Sequence, residues 1–288
     1  MGIHERVQKG LLKHPEIAKD YHFENIAGIE TIIATDNSNY VKPSHDVIEK
    51  FAKSSFYRHL DGITVSYLPV MWDFSLEEMR LSCAHAQFFE SNEEKILLID
   101  IAPDDKAKYS TLAHELLECV MKFEYPELAV YAKNLPYEAE PMLAGKTPEA
   151  FVYRTCVDIS VDERVYALDL NLCRDMKRKE LIDAQKKLAG SALHDPLLIA
   201  GIWLPLTKHK DSEGSLIRKR LLHFLEKEYS PEAAQMTDEL AQRMSNIPKY
   251  TYNAQWHKFA LQQYVKWLSK WFKPTDHELT AEWMKFKP

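Results

Sequence analysis

Every stretch of this chain with strong strand character lies before residue 102. ETIIATD (30–36), GITVSYLPV (62–70), AHAQFFE (84–90) and KILLIDI (95–101) are rich in β-branched and aromatic residues and have strand length. After them the apolar residues recur at helical spacing. Strands confined to the first third of the chain, together with helices there and a helical remainder, fit an α+β fold. Composition agrees: only 8 glycines occur in 288 residues, too few for a fold built from many tight hairpins.

The elements can be placed along the chain. Residues 5–20 and 44–60 read as helices, with Ser44 a plausible N-cap for the second. SNEE (91–94) makes the turn of a hairpin between AHAQFFE and KILLIDI. Pro103-Asp104-Asp105 then marks a helix start, because proline is tolerated in a first turn and acids sit well at the positive end of the dipole. That helix runs to about Phe123. Residues 124–150 hold four prolines and a glycine and read as an irregular loop. A second long helix covers 151–170. Beyond about 176 the pattern is helical, broken at 208–214 and 245–253. The division expected is an α+β domain over 1–175 and a helical domain over 176–288.

Charge and composition exclude several functions. A net charge of −6 gives no electrostatic footprint for nucleic acid. The first residues, MGIHERVQKGLLKHPE, carry charges throughout and no apolar core, so no signal peptide is expected. The longest apolar run, PLLIAGIWLPL (196–206), is too short to span a bilayer. Cys83, Cys119, Cys156 and Cys173 lack CxxC spacing, so neither a disulfide scaffold nor a thiolate zinc site is expected. The compartment implied is the cytoplasm.

Chemistry concentrates on the two central helices. In TLAHELLECV (111–120), residues placed at ~100° intervals put Leu112, Leu116, Cys119, Val120 and Phe123 on an apolar face. His114 and Glu118 lie together at the edge of the polar face, one turn apart, so both can reach one ion. A histidine and a glutamate on a polar face are also commonly just solvated, and His-Glu recurs at His4-Glu5 and His277-Glu278. On the second helix Val157, Val161, Val165 and Leu168 form one apolar flank, and Val152, Ile159 and Tyr166 the other. Between them run Asp158, Asp162 and Asp169, while Tyr153, Ser160 and Arg164 face the solvent side. Acids inside an apolar arc are costly without a positive partner, either Arg154 or a metal. An Arg–Asp pair is the commoner solution.

The stretch TLAHELLECV resembles the active-site helix of the zincin metallopeptidases, whose pattern is HExxH in an uncharged and apolar frame. Only the second histidine departs, being Glu118. The order of strand hairpin, active-site helix, loop and a further helix with an acid is similar too. The resemblance covers roughly 60–170 and implies a zincin-like sheet with its active-site helix. It makes His114 a metal ligand, Glu115 the general base and Glu118 the second ligand. Asp158 or Asp162 would be the third ligand, and the substrate a peptide or small molecule. The departure matters chemically. An anion in place of a neutral imidazole lowers the effective charge of the metal and acidifies its water less. Zinc is the metal implied, with manganese or iron(II) made more welcome by the carboxylates. The implied activity is metal-dependent hydrolysis. The alternative is a catalytically silent protein that keeps the fold as a binding scaffold.

Other motifs have plainer readings. LHDP (193–196) resembles the His-Asp pair of HD-domain phosphohydrolases, but no histidine lies between His114 and His194, so Asp195-Pro196 reads as a helix start. His45-Asp46 is explained by capping at a helix N-terminus. WHKFALQQYVKWLSKWFKP (256–274) is apolar over two broad faces, which favours a core helix over a membrane-surface or partner-docking one.

Overall fold

The computed structural model describes residues 3–56, 62–68, 84–90, 94–101, 108–124, 148–188, 212–245 and 254–271. The architecture is α+β. Five strands form one mixed sheet in the order β1-β2-β3-β5-β4. They are β1 (Tyr21–Ile26), β2 (Ile29–Ala34), β3 (Ile63–Leu68), β4 (Ala84–Glu90) and β5 (Lys95–Ile101). The β1–β2 and β4–β5 pairs are antiparallel, and β2–β3 and β3–β5 are parallel. The four strand-forming runs of the sequence therefore become β2 to β5. β1, over YHFENI, is an addition. Its hairpin closes on Ala27-Gly28, where both residues have positive φ (51° and 96°), as a two-residue turn matched to strand twist requires. Without an Asn-Gly or Asp-Gly signal, that turn is hard to see in the sequence.

Helices α1 (Ile3–Leu11), α2 (Pro15–Ala18), α3 (Ser38–Ala52) and α4 (Lys108–Glu124) accompany the sheet. The helix expected over 5–20 is thus two short ones followed by β1. α3 lies against β1 and β2, α4 against β4 and β5, and the two helices pack on each other. Parallel pairing in the centre goes with burial on both faces of β2, where Ile32, Ile33 and Ala34 are all buried. In β3 and β5 burial alternates, with Val65 and Tyr67 in register beside Leu97 and Ile99.

α3 corrects one expectation in detail. It starts at Ser38, capped by Asn37, whose side chain accepts the Asn39 N–H at 3.0 Å. Ser44 is therefore inside the helix, buried, with its hydroxyl donating to the Tyr40 carbonyl at 2.6 Å. Pro43 is internal as well and has no N–H to offer the Asn39 carbonyl. The Tyr109 hydroxyl of α4 donates to that carbonyl instead, at 3.1 Å. A proline that argued for a helix boundary is accommodated because a neighbouring helix satisfies the backbone group it orphans.

The remaining helices are α5 (Pro148–Leu168), α6 (Leu170–Leu188), α7 (Ser212–Glu228), α8 (Pro231–Ser245) and α9 (Ala254–Trp271). α5 begins at Pro148 in its first turn, a little before the expected 151. Asp169 ends the run: its Oδ1 accepts the Asn171 N–H at 2.8 Å and starts α6. α7 packs on α8 and α8 on α9. In α9, Ala260, Tyr264 and Trp267 are fully buried, and the Trp267 Nε1–H donates to the Met236 carbonyl at 2.7 Å. The Trp/Lys-rich helix thus contributes to a core. Asp195-Pro196 and most of 124–150 lie outside the described residues.

The chain divides into two compact units, Met1–Glu124 with Arg164–Leu172, and Tyr125–Glu163 with Cys173–Pro288. A single cut at 175 differs from this by placing 125–163 with the sheet. No helix among the described residues is long and apolar enough to cross a membrane.

Candidate metal site on α4

α4 is buried around most of its circumference. Leu112, Ala113, Leu116, Leu117, Cys119, Val120 and Met121 are all core residues. The sheet hairpin covers one side, with Phe123 meeting Phe88 edge-on at a centroid distance of 4.9 Å, and α3 covers another. This is why the polar residues of the quoted stretch are not on a wet face. Thr111 is buried, and Glu115 is only 8% exposed. His114 and Glu118 are half-buried.

The structure brings His114, Glu115 and Glu118 together: one ligand atom from each lies within 4.8 Å of the others. For His114 and Glu118 this is the i, i+4 geometry read from the sequence. Glu115 joins them from the next position along the helix. A zinc ion with bonds of about 2.1 Å would hold its ligand atoms closer than that limit. The donors are thus near enough to share an ion after small side-chain rotations. Their chemistry also fits, since one imidazole nitrogen and carboxylate oxygens suit zinc, manganese or iron(II). Within that set, His114 and Glu118 are the pair that would hold the ion.

The acid stripe on α5 resolves differently from the expectation. Val157, Val161 and Val165 of the first apolar flank are buried, and Leu168 is half-buried. Of the second flank, Ile159 is half-buried and Tyr166 is exposed, whereas Ser160, assigned to the solvent side, is buried. Asp162 is 1% exposed and forms a salt bridge to Lys177 of α6, itself 3% exposed. The positive partner demanded by a buried aspartate is thus a lysine 15 residues on, rather than only the Arg154 or metal considered from the sequence. Asp158 is half-buried. Asp169 serves as the α6 cap and pairs with Lys50 of α3.

One group was missed altogether. His45, Asp46 and Glu49 of α3 also offer ligand atoms within 4.8 Å of one another. Capping had explained His45-Asp46, but with α3 starting at Ser38 these residues lie about two turns inside the helix. The signal available in the sequence was the spacing, HDVIE, which repeats the His-acid-x-x-Glu of HELLE.

No family model, curated protein or solved structure matches this chain.

Proposed function

We propose that this protein is a metal-dependent hydrolase whose reacting centre lies on α4 and whose substrate is a peptide or another small amide or ester. The observation that carries the reading is the convergence of His114, Glu118 and the buried Glu115 on one side of a helix otherwise packed into the core. A bound divalent ion supplies Lewis acidity, polarising a carbonyl and lowering the pKa of water.

The chain's own residues do the rest. His114 and Glu118 hold the ion from one helix face, with the rigid α4 fixing their separation. Glu115 is the general base: its carboxylate takes the proton of the attacking water and returns it to the leaving group. Burial suits that role, because few waters compete for the carboxylate and its interactions act through a lower dielectric.

Metal content of the purified full-length chain, grown with zinc, manganese and iron present, tests the proposal. About one equivalent that is lost in His114→Ala supports it. Less than about a tenth of an equivalent of any of the three overturns it and leaves the non-catalytic scaffold. Glu118→His, which restores the second histidine of the zincin pattern, should raise zinc affinity if the surroundings suit a tetrahedral ion.

A further inference from the structure

A second His-acid-x-x-Glu set lies on α3, and the capping that explained it from the sequence is ruled out by the position of the helix start. We propose that His45, Asp46 and Glu49 bind a divalent first-row transition ion, zinc in the first instance, with Glu24 of β1 positioning the His45 ring. The site is independent of the reading of α4.

Three features of the group point to an ion. Its donors are of two kinds, an imidazole and two carboxylates, with ligand atoms within 4.8 Å of one another. This is a first-row donor set rather than a calcium-like all-oxygen one. Next, the Glu24 carboxylate approaches His45 Nε2 at 3.2 Å from a different element. A carboxylate on one ring nitrogen fixes the tautomer and leaves the other nitrogen for a metal, the usual outer arrangement of a metal-bound histidine. Finally, Lys53 engages only Oε1 of Glu49, leaving Oε2 to ligate. Glu24, Asp46 and Glu49 bring three carboxylates, of which Lys53 compensates one.

An ion here would act as a clip. β1 closes one end of the sheet order and pairs within it only with β2, while the buried face of α3 carries Val47, Ile48 and Phe51 into the core. Tying the α3 ligands to a ring held by β1 fastens the helix to the terminal strand. Folding would then be stabilised by mass action as zinc is added.

The test uses the full chain carrying His114→Ala and Glu118→Gln, so that α4 cannot supply the site. Zinc is titrated against a chromophoric chelator, and thermal unfolding is followed with and without zinc. The expected result is one equivalent bound at micromolar or tighter affinity, with a rise in unfolding temperature. His45→Ala should weaken binding by about a hundredfold or more. Glu24→Gln should weaken it about ten- to a hundredfold, with metal-free unfolding unchanged, as befits a residue that only orients a ligand. If the α4 substitutions prevent folding, His45→Ala in the otherwise wild-type chain should lower zinc stoichiometry by one equivalent. No saturable binding below about 100 μM (roughly −5.5 kcal/mol) overturns the proposal, as does an affinity unmoved by His45→Ala. Zinc that is held by wild type and lost entirely with His114 upholds α4 and overturns α3. Zinc retained by the doubly substituted chain upholds α3 whatever becomes of α4.

Discussion

HELLE on α4 and HDVIE on α3 have the same spacing and the same frame. In each, the two residues between the acid and the final glutamate are buried: Leu116 and Leu117 in one, Val47 and Ile48 in the other. Yet the acid that follows the histidine is buried in α4 and exposed in α3. The difference comes from neighbours. α4 has the β4–β5 hairpin on one side and α3 on another, so its flanks are covered. Asp46 has no such cover. Spacing therefore brings three donors together on any helix, and it takes the surrounding layer to decide whether water is kept away. A sheltered acid suits proton transfer, and an exposed set suits a structural ion. Asp162 adds a third case, a buried acid with the Lys177 ammonium beside it.

The largest effect should come from that third case. Lys177→Met leaves the Asp162 carboxylate in a site where it is only 2% exposed, without this ammonium, and should cost about 3–5 kcal/mol in urea unfolding. The double substitution Asp162→Leu/Lys177→Met should recover most of it, because removing both charges removes the desolvation penalty. A double variant no better than the single would show that the pair is held for something other than mutual compensation.

Next comes the contrast between Glu115 and Asp46. Glu115→Gln should lower hydrolysis by about two orders of magnitude or more, near 2.7 kcal/mol of barrier, while metal stays bound. Asp46→Asn should weaken zinc binding on α3 but should not reproduce the roughly hundredfold loss of hydrolysis, since an exposed acid on another helix takes no part in proton transfer. Equal losses in the two variants would erase the distinction drawn from burial.

Asp169 carries a smaller, pH-dependent effect. Burial pushes its carboxyl up, but the Lys50 ammonium and the N–H groups of Asn171 and Leu172 outweigh this and hold it below its ordinary 3.8. A folded-state pKa that is depressed contributes stability above the unfolded value, and that stability is lost as pH falls through the folded one. Asp169→Ala should cost about 1–2 kcal/mol at pH 7 as a lost cap, with the gap to wild type closing below about pH 3.8. A gap independent of pH would assign the effect to packing.

The smallest effect belongs to the β1–β2 turn, next to the strand that Glu24 occupies. Ala27 has φ 51°, a left-handed conformation that a Cβ disfavours. Ala27→Gly should stabilise the fold by about 0.5–1 kcal/mol, less the entropy that glycine adds to the unfolded chain. Any loss of stability would mean that the Ala27 methyl makes a contact worth more than the strain.

Local pattern determined a good deal of this protein. The β-branched and aromatic runs became strands β2 to β5, because strand propensity and alternation are properties of a few consecutive residues. His114 and Glu118 came together, and Val157, Val161 and Val165 went into the core, because a helix repeats every 3.6 residues wherever it is placed. Tertiary structure decided the rest. α3 runs through Pro43 because Tyr109, distant in sequence, supplies the missing hydrogen bond. Asp162 found Lys177 on the following helix, and Ser160 turned inward, because what packs against a helix is not written in its period. Above all, Glu115 is sheltered and Asp46 is not. Both follow a histidine by one residue and precede a glutamate by three, so the sequence treats them alike. Burial is a relation between elements, set by which layers close over a helix, and only the packed sheet and helices could separate the two.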